Sequence, residues 1–307
     1  MKKIILLLFI PIVILAQEIK TTEIKINSLI NGTLFSSEQI NTQNNLVILI
    51  SGSGMTDRNG NFTGGQNNSL LFLAEAIAKE GNSVFSFDKR IFAQLKAGNF
   101  DEKSLLFEDM ITDVKDIITY FKLQKKHAKI IVAGHSEGSL IGMIAAKNNA
   151  DAFISIAGPG RTADELIIEQ IEKQAPMLLS EVQANFTKLK KGEAIELKNQ
   201  MLASLFRESI QPYMLSWIKY NPQEEIKKLN IPTLVINGTT DIQTSVKEAE
   251  ILKKANPKAT LTIIEGMNHV FKQAPKDMSE NKATYNNPSL PIVPELATTI
   301  NGFIKWL

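Results

Sequence analysis

A serine set between two glycines, on the turn from a strand into a helix, can carry out acyl transfer. The segment Gly134-His135-Ser136-Glu137-Gly138 has that form. It follows the β-prone run Lys129-Ile130-Ile131-Val132-Ala133 and precedes Ser139-Leu140-Ile141-Gly142-Met143, which reads as a helix opening. The turn is so tight that side chains at the flanking positions would collide with the strand and helix, and the serine itself must be strained. The return is an exposed Oγ beside the first N–H groups of a helix, which face developing negative charge.

A serine hydroxyl is a weak nucleophile at neutral pH, so it needs a base, and the base needs a partner that orients it. The chain has three histidines. His127 precedes the strand that leads to Ser136, at the end of a parallel sheet where ligands do not gather. His135 adjoins Ser136, and on a sharp turn its side chain is expected to point away from the serine. His269, in Glu265-Gly266-Met267-Asn268-His269, follows the run 260–264 and is the expected base. The expected acid is Asp241, which closes Asn237-Gly238-Thr239-Thr240-Asp241 after the run 233–236. Asp241 also suits a turn or the cap of a helix over 245–255, and Glu265 is the reserve acid. The chain order is Ser, Asp, His.

Two backbone N–H groups should receive the oxyanion, each worth roughly 3–4 kcal/mol in the transition state. Glu137, directly after the serine, supplies one. The loop after residues 46–50, Ser51-Gly52-Ser53-Gly54-Met55-Thr56-Asp57-Arg58, supplies the other. Ser53 is the expected donor, with Gly54 or Met55 able to replace it. Asp57 and Arg58 either pin this loop by a mutual ion pair or are plain surface charges.

The elements that must hold these groups follow from patterning. Residues 22–27 alternate as a half-buried strand does, and Asn31-Gly32 supports a hairpin into 33–35. The continuous β-prone run 46–50 reads as a strand covered on both faces, and 83–87, 129–133, 152–157, 233–236 and 260–264 read as further strands. Helices are expected over 69–79, over 104–123 (Leu106, Met110, Val114, Ile117, Ile118 and Phe121 sharing a face), over 245–255 and over 293–307. Strands alternating with helices imply a mostly parallel central sheet with helices on both faces. Residues 160–228 contain amphipathic stretches and no clear strand, which reads as a helical insertion.

The 307 residues are 44% hydrophobic and 21% charged, an ordinary globular composition. Residues 1–16 join Lys2 and Lys3 to a short apolar run ending in Ala16, the pattern of a secretory signal peptide. A secreted or periplasmic location is therefore expected, with residues 17–307 forming the mature domain. Its removal would leave 32 basic and 32 acidic residues, and no basic patch stands out. Nucleic acid is a poor partner for such a chain, and no stable membrane association is expected once the leader is gone. With no cysteine there are no disulfides, thiolate metal sites or cysteine nucleophiles. Five N-x-S/T tripeptides begin at Asn31, Asn61, Asn67, Asn185 and Asn237, and all are read as unmodified.

On these residues the chain resembles the α/β-hydrolases, over about residues 20–307. More narrowly it resembles bacterial carboxylesterases related to serine aminopeptidases and monoacylglycerol lipases. The likeness rests on Gly52-Ser53-Gly54-x-x-Asp57-Arg58-x-Gly60, on Phe85-Ser86-Phe87-Asp88-Lys89-Arg90, and on Ile231-Pro232-Thr233-Leu234-Val235-Ile236-Asn237-Gly238-x-x-Asp241. Ser51 stands where many relatives have histidine, and Met55 where proline is common. The resemblance implies the α/β-hydrolase fold with a helical cap at about 160–228. It also implies a Ser136–Asp241–His269 triad acting on a small-molecule ester without metal or organic cofactor. A peptidase or amidase with the same triad, and a non-catalytic binding protein on the same scaffold, are the alternatives. A dehalogenase or epoxide hydrolase is disfavoured, because those relatives carry aspartate where Ser136 stands.

Overall fold

The computed structural model describes residues 18–37 and 44–307; residues 1–16, expected to be a signal peptide, lie outside the described residues. The strands are β1 (Ile19–Lys25), β2 (Asn31–Ser37), β3 (Leu46–Ile50), β4 (Ser83–Phe87), β5 (Ile130–His135), β6 (Ala152–Ile156), β7 (Thr233–Gly238) and β8 (Thr260–Ile264). They form one sheet in the order β1-β2-β4-β3-β5-β6-β7-β8. Strands β4 through β8 along that order run parallel, while β1 and β2 pair antiparallel at one edge.

The helices are α1 (Ser69–Ala78), α2 (Arg90–Lys96), α3 (Phe107–Gln124), α4 (Glu137–Ala146), α5 (Ala163–Gln174), α6 (Leu179–Lys190), α7 (Ala203–Phe206), α8 (Gln211–Ile218), α9 (Pro222–Lys227), α10 (Val246–Ala255), α11 (Met278–Ala283) and α12 (Pro294–Trp306). Alternation along each strand sends side chains to two cores. Ile48 and Ile50 of β3 join α3, α4, α9 and α10 on one face, while Val47 and Leu49 join α1 and α12 on the other. Every residue of β3, β4, β5, β6 and β7 is buried, which explains why those runs are continuously apolar.

Between β6 and β7 the chain is helical. Helices α5 to α8 and the turns joining them enclose their own apolar cluster, centred on Val182, Phe186, Leu202, Phe206 and Met214. The Phe186 and Phe206 rings meet edge to face at 5.0 Å. Helix α9 differs: its Ile226 packs into the sheet's core with Leu252 and Ala249, so it flanks the sheet.

Three local expectations differ from the structure. The β1–β2 hairpin turns at residues 26–30, where the Asn27 side chain accepts the N–H groups of Leu29 and Ile30, so Asn31-Gly32 lies inside β2. Helix α3 begins at Phe107, because the Asp109 carboxylate accepts the Leu106 N–H and caps the helix there. Leu106 is left 40% exposed, and Phe107 takes its place in the core, stacked on Trp217 at 6.0 Å. Arg58 pairs with Asp88 at 2.8 Å and Glu23 at 2.7 Å, not with Asp57. Asp57 instead accepts the N–H groups of Asn59 and Asn61 and shapes its own turn.

Candidate active site

Ser136 sits between β5 and α4 at φ 54° and ψ −122°, a conformation L-residues seldom adopt. The positions two residues to either side must be glycine. A Cβ on Gly134 would lie 2.1 Å from the Gly138 carbonyl oxygen, and one on Gly138 would lie 2.5 Å from that of Ser51. The turn is locked from outside as well, since the Ser136 N–H donates to Ile156 O of β6 at 3.0 Å. Glu137 opens α4, where first-turn N–H groups have no partner within the helix.

His269 and Asp241 meet in the loops after β8 and β7. His269 Nδ1 lies 2.8 Å from Asp241 Oδ2, with the two side chains 5% and 0% exposed. Asp241 also shapes the turn: its Oδ1 accepts the N–H groups of Gln243 at 2.8 Å and Thr244 at 2.9 Å. The turn reading and the histidine-partner reading of this residue therefore hold together, one for each carboxylate oxygen. The Thr244 hydroxyl donates to Oδ2 at 2.8 Å, and the buried Asn237 Nδ2 donates to Thr244 O and Ser245 O, which fixes the turn from below. Burial and two donated hydrogen bonds leave Asn237 closed to a glycan.

His135 packs against the His269 loop and, with Ser136 and His269, borders the smaller of two cavities that meet at Ser136. Its Nε2–H donates to the His269 carbonyl at 2.9 Å, and its ring lies 4.7 Å from both the His269 and Phe271 rings. Burial, with His269 beside it, pushes its pKa well below the usual histidine value. It is a neutral strut for the His269 loop. His127 lies before β5 against Phe121, remote from this cluster, and burial lowers its pKa too.

Two cavities meet at Ser136. The larger, about 480 Å³, runs beneath the helical insertion and is lined by Ile91, Phe100, Leu166, Ile167, Met214 and Trp217 among others. The smaller, about 310 Å³, is lined by His269, Asn67, Ser69, Thr63 and Tyr285 among others. Ser53, Gly54 and Met55 line both, beside Ser136; Glu137 lines only the larger and His269 only the smaller. The loop expected to provide the second oxyanion donor thus borders the serine.

Beside that loop is a buried charged cluster. Lys89, just past β4, donates from Nζ to Gly52 O at 2.5 Å, to Gly54 O at 3.3 Å and to Glu137 Oε2 at 3.1 Å. The Tyr213 hydroxyl, on α8 of the insertion, donates to Glu137 Oε1 at 2.6 Å. Burial and the Glu137 charge raise the Tyr213 pKa well above its usual value, so the phenol stays a donor. Sequence reasoning gave no role to Lys89, Thr244, Tyr213 or the His135 strut. The Asp241-x-x-Thr244 spacing was the one local signal among them, being that of a side chain capping its own turn.

This sheet, elbow and loop arrangement is that of the α/β-hydrolases. A profile of the family described as serine aminopeptidase, S33, matches residues 67–272, more than half of the chain, and the chain belongs to that family. It is similar to the esterase EstD of Thermotoga maritima, 27% identical over 231 residues that cover 73% of this chain and 54% of that protein. The chain therefore matches only about half the length of that relative. Among solved structures it is similar to Est1E from Butyrivibrio proteoclasticus, with a TM-score of 0.58 and 16% identity, covering 93% of this chain and 99% of that one. The Pyrococcus furiosus esterase Pf2001 also matches, with a TM-score of 0.53 and 15% identity over 94% of this chain and 91% of that one.

Proposed function

We propose that this protein is an exported serine hydrolase of carboxylic esters that works through an acyl-enzyme. The observation that carries the reading is the buried His269–Asp241 pair at 2.8 Å, whose His269 lines the same cavity as the elbow serine. Ser136 Oγ attacks the ester carbonyl and His269 Nε2 takes its proton. Asp241 holds Nδ1 protonated and stabilises the imidazolium. The oxyanion is received by the Glu137 N–H and by an N–H of the 53–55 loop. His269 then protonates the leaving alcohol and afterwards activates the water that releases the acid.

This proton path assigns the two cavities. The leaving alcohol must lie within reach of His269, so it occupies the smaller cavity, with its Asn67, Ser69, Thr63 and Tyr285 wall. The acyl group takes the larger, mainly apolar cavity, which His269 does not line. That space suits short to medium acyl chains and an aromatic acid; ferulic acid is bound to Est1E in one solved structure of that protein.

The same triad on an amide is the rival reading. An aminopeptidase needs a free carboxylate to hold the substrate's amino terminus. The carboxylates bordering the larger cavity are engaged: Glu102 by Arg207 and Ser209, Glu137 by Lys89 and Tyr213. Among the described residues, no aspartate or glutamate lines the smaller one. This favours esters. Export rests on the leader pattern of residues 1–16.

The test is a panel of p-nitrophenyl acetate, p-nitrophenyl butyrate, methyl ferulate and aminoacyl anilides on the mature protein, beside Ser136→Ala. Ester turnover that disappears in Ser136→Ala is expected. Faster anilide turnover would move the assignment to a peptidase. Unchanged ester hydrolysis in Ser136→Ala would remove Ser136 as the nucleophile.

A further inference from the structure

Lys89 and Glu137 form a salt bridge with side chains 5% and 1% exposed. Such a pair is a poor stability device. Desolvating two charges costs several kcal/mol, and apolar replacements are often neutral or better. Its geometry shows another use. All three N–H bonds of the ammonium have acceptors, and two of these are the carbonyls of Gly52 and Gly54, on either side of Ser53. A peptide unit is planar, so the direction of a carbonyl fixes the N–H of the next residue. Holding Gly52 O fixes the Ser53 N–H, and holding Gly54 O fixes the Met55 N–H. The third acceptor belongs to Glu137, whose own N–H is the other oxyanion donor. One ammonium therefore ties together the two strips of backbone that would flank the oxyanion.

The far end of the cluster is on a different part of the molecule. Tyr213 lies on α8, and its hydroxyl saturates the second oxygen of Glu137. Its ring is braced by Phe107 at 6.2 Å and Trp217 at 6.3 Å, and all three border or adjoin the larger cavity.

We propose that Lys89 is a positioning residue that sets the oxyanion hole by fixing the 52–55 peptides against Glu137, and that Tyr213 couples this setting to the seating of the helical insertion. The inference rests on the serine-esterase reading. Lys89 acts through the backbone: its side chain borders the larger cavity, but its three N–H groups are engaged by Gly52 O, Gly54 O and Glu137. A group bound in the larger cavity presses on the wall that carries Tyr213, so a well-fitting acyl group tightens the oxyanion hole and a poorly fitting one does not.

The experiment compares wild type with Lys89→Met, Tyr213→Phe and the double variant. It reads kcat and KM for p-nitrophenyl butyrate, inhibition by an aryl trifluoromethyl ketone, and Tm. The ketone adds to Ser136 as a hemiketal whose oxyanion needs the same donors. Lys89→Met should lose about 100-fold in kcat, within the range for one misplaced oxyanion donor. KM should stay near the wild-type value, and ketone affinity should fall in parallel with kcat. Tyr213→Phe, which deletes one hydroxyl, should lose about tenfold in both. The double variant should be little worse than Lys89→Met alone, because the two act as one unit.

If Lys89→Met does not fold, Tyr213→Phe decides. Wild-type kcat and ketone affinity in Tyr213→Phe would overturn the coupling. A folded Lys89→Met with wild-type kcat, or with lowered Tm and unaltered ketone affinity, would overturn the positioning role. Wild-type protein that neither hydrolyses the ester nor takes up a fluorophosphonate would overturn the esterase reading, and this inference with it.

Discussion

Two walls face each other across Ser136, and they are built differently. On one side, His269, Asp241 and Thr244 come from the loops after β7 and β8, and every hydrogen bond that orients Asp241 arises within the turn 241–244 or from His269. On the other side, Lys89, Glu137 and Tyr213 come from three elements far apart in sequence, one of them in the helical insertion. The proposed acid–base wall is thus built mainly by the loops of the sheet, with one hydrogen bond from the insertion, Gln170 Nε2 of α5 donating to Gln243 O at 2.9 Å. The oxyanion wall is shared with the part of the chain that covers the acyl cavity.

The largest effect that sharpens the contrast is Asp241→Asn. It keeps the shape of the turn but offers His269 the wrong partner, so kcat should drop by roughly 10⁴-fold. Lengthening or shortening the acyl group should not alter that factor, because neither Asp241 nor His269 lines the larger cavity. A series of p-nitrophenyl esters from acetate to octanoate measures it. A loss that varies strongly with acyl length would break the separation of the walls.

Thr244→Val comes next. It removes a hydrogen bond to the Asp241 carboxylate, which is worth about 1.5–3 kcal/mol for a charged acceptor, so roughly a tenfold loss of kcat is expected. Phe206→Leu loosens the insertion's core against Phe186 and should lower kcat a few-fold, through Tyr213. Combined in a double-mutant cycle, Phe206→Leu and Thr244→Val should be additive, whereas Phe206→Leu and Tyr213→Phe should not. The reverse pattern would show that the insertion acts on the acid–base wall.

The smallest effect is on stability. His135 is held neutral in the folded protein, with its pKa well below the 6.5 of an unfolded histidine. Below pH 6.5 the unfolded chain takes up a proton that the folded chain refuses. Stability therefore falls as pH drops from 6.5 towards the folded-state value, by up to about 1.4 kcal/mol per pH unit for one proton. Denaturant unfolding at pH 7.5 and 5.5 should show a smaller difference for His135→Gln than for wild type. An equal difference would remove His135 from the acid sensitivity.

The residues of the proposed acid–base wall were also the ones whose placement was legible in the sequence. Ser136 announces itself because its turn tolerates only glycine on either side. Asp241 and His269 each follow a β-prone run that reads as a strand of the sheet, buried in β7 and at the half-exposed edge in β8. The oxyanion wall was partly hidden. The Ser53 loop and Glu137 were visible by position, but nothing near Lys89 indicates that its ammonium turns towards two carbonyls more than 30 residues earlier in the chain. Tyr213 has no local signature, since its role depends on how the insertion packs on α3 and reaches Glu137 at the start of α4. The same holds for Arg58, whose partners Glu23 and Asp88 lie on separate strands or strand ends, while the neighbouring Asp57 was spent on its own turn. Local steric rules survive in sequence; pairings chosen by the assembled sheet do not.

The most direct measurement is intact-mass and peptide mass spectrometry of the mature protein after reaction with a fluorophosphonate. A single adduct on Ser136, absent from Ser136→Ala and strongly slowed in Asp241→Asn, is expected. An adduct on another residue, or none at reagent concentrations that label a known serine esterase, would contradict Ser136 as the nucleophile.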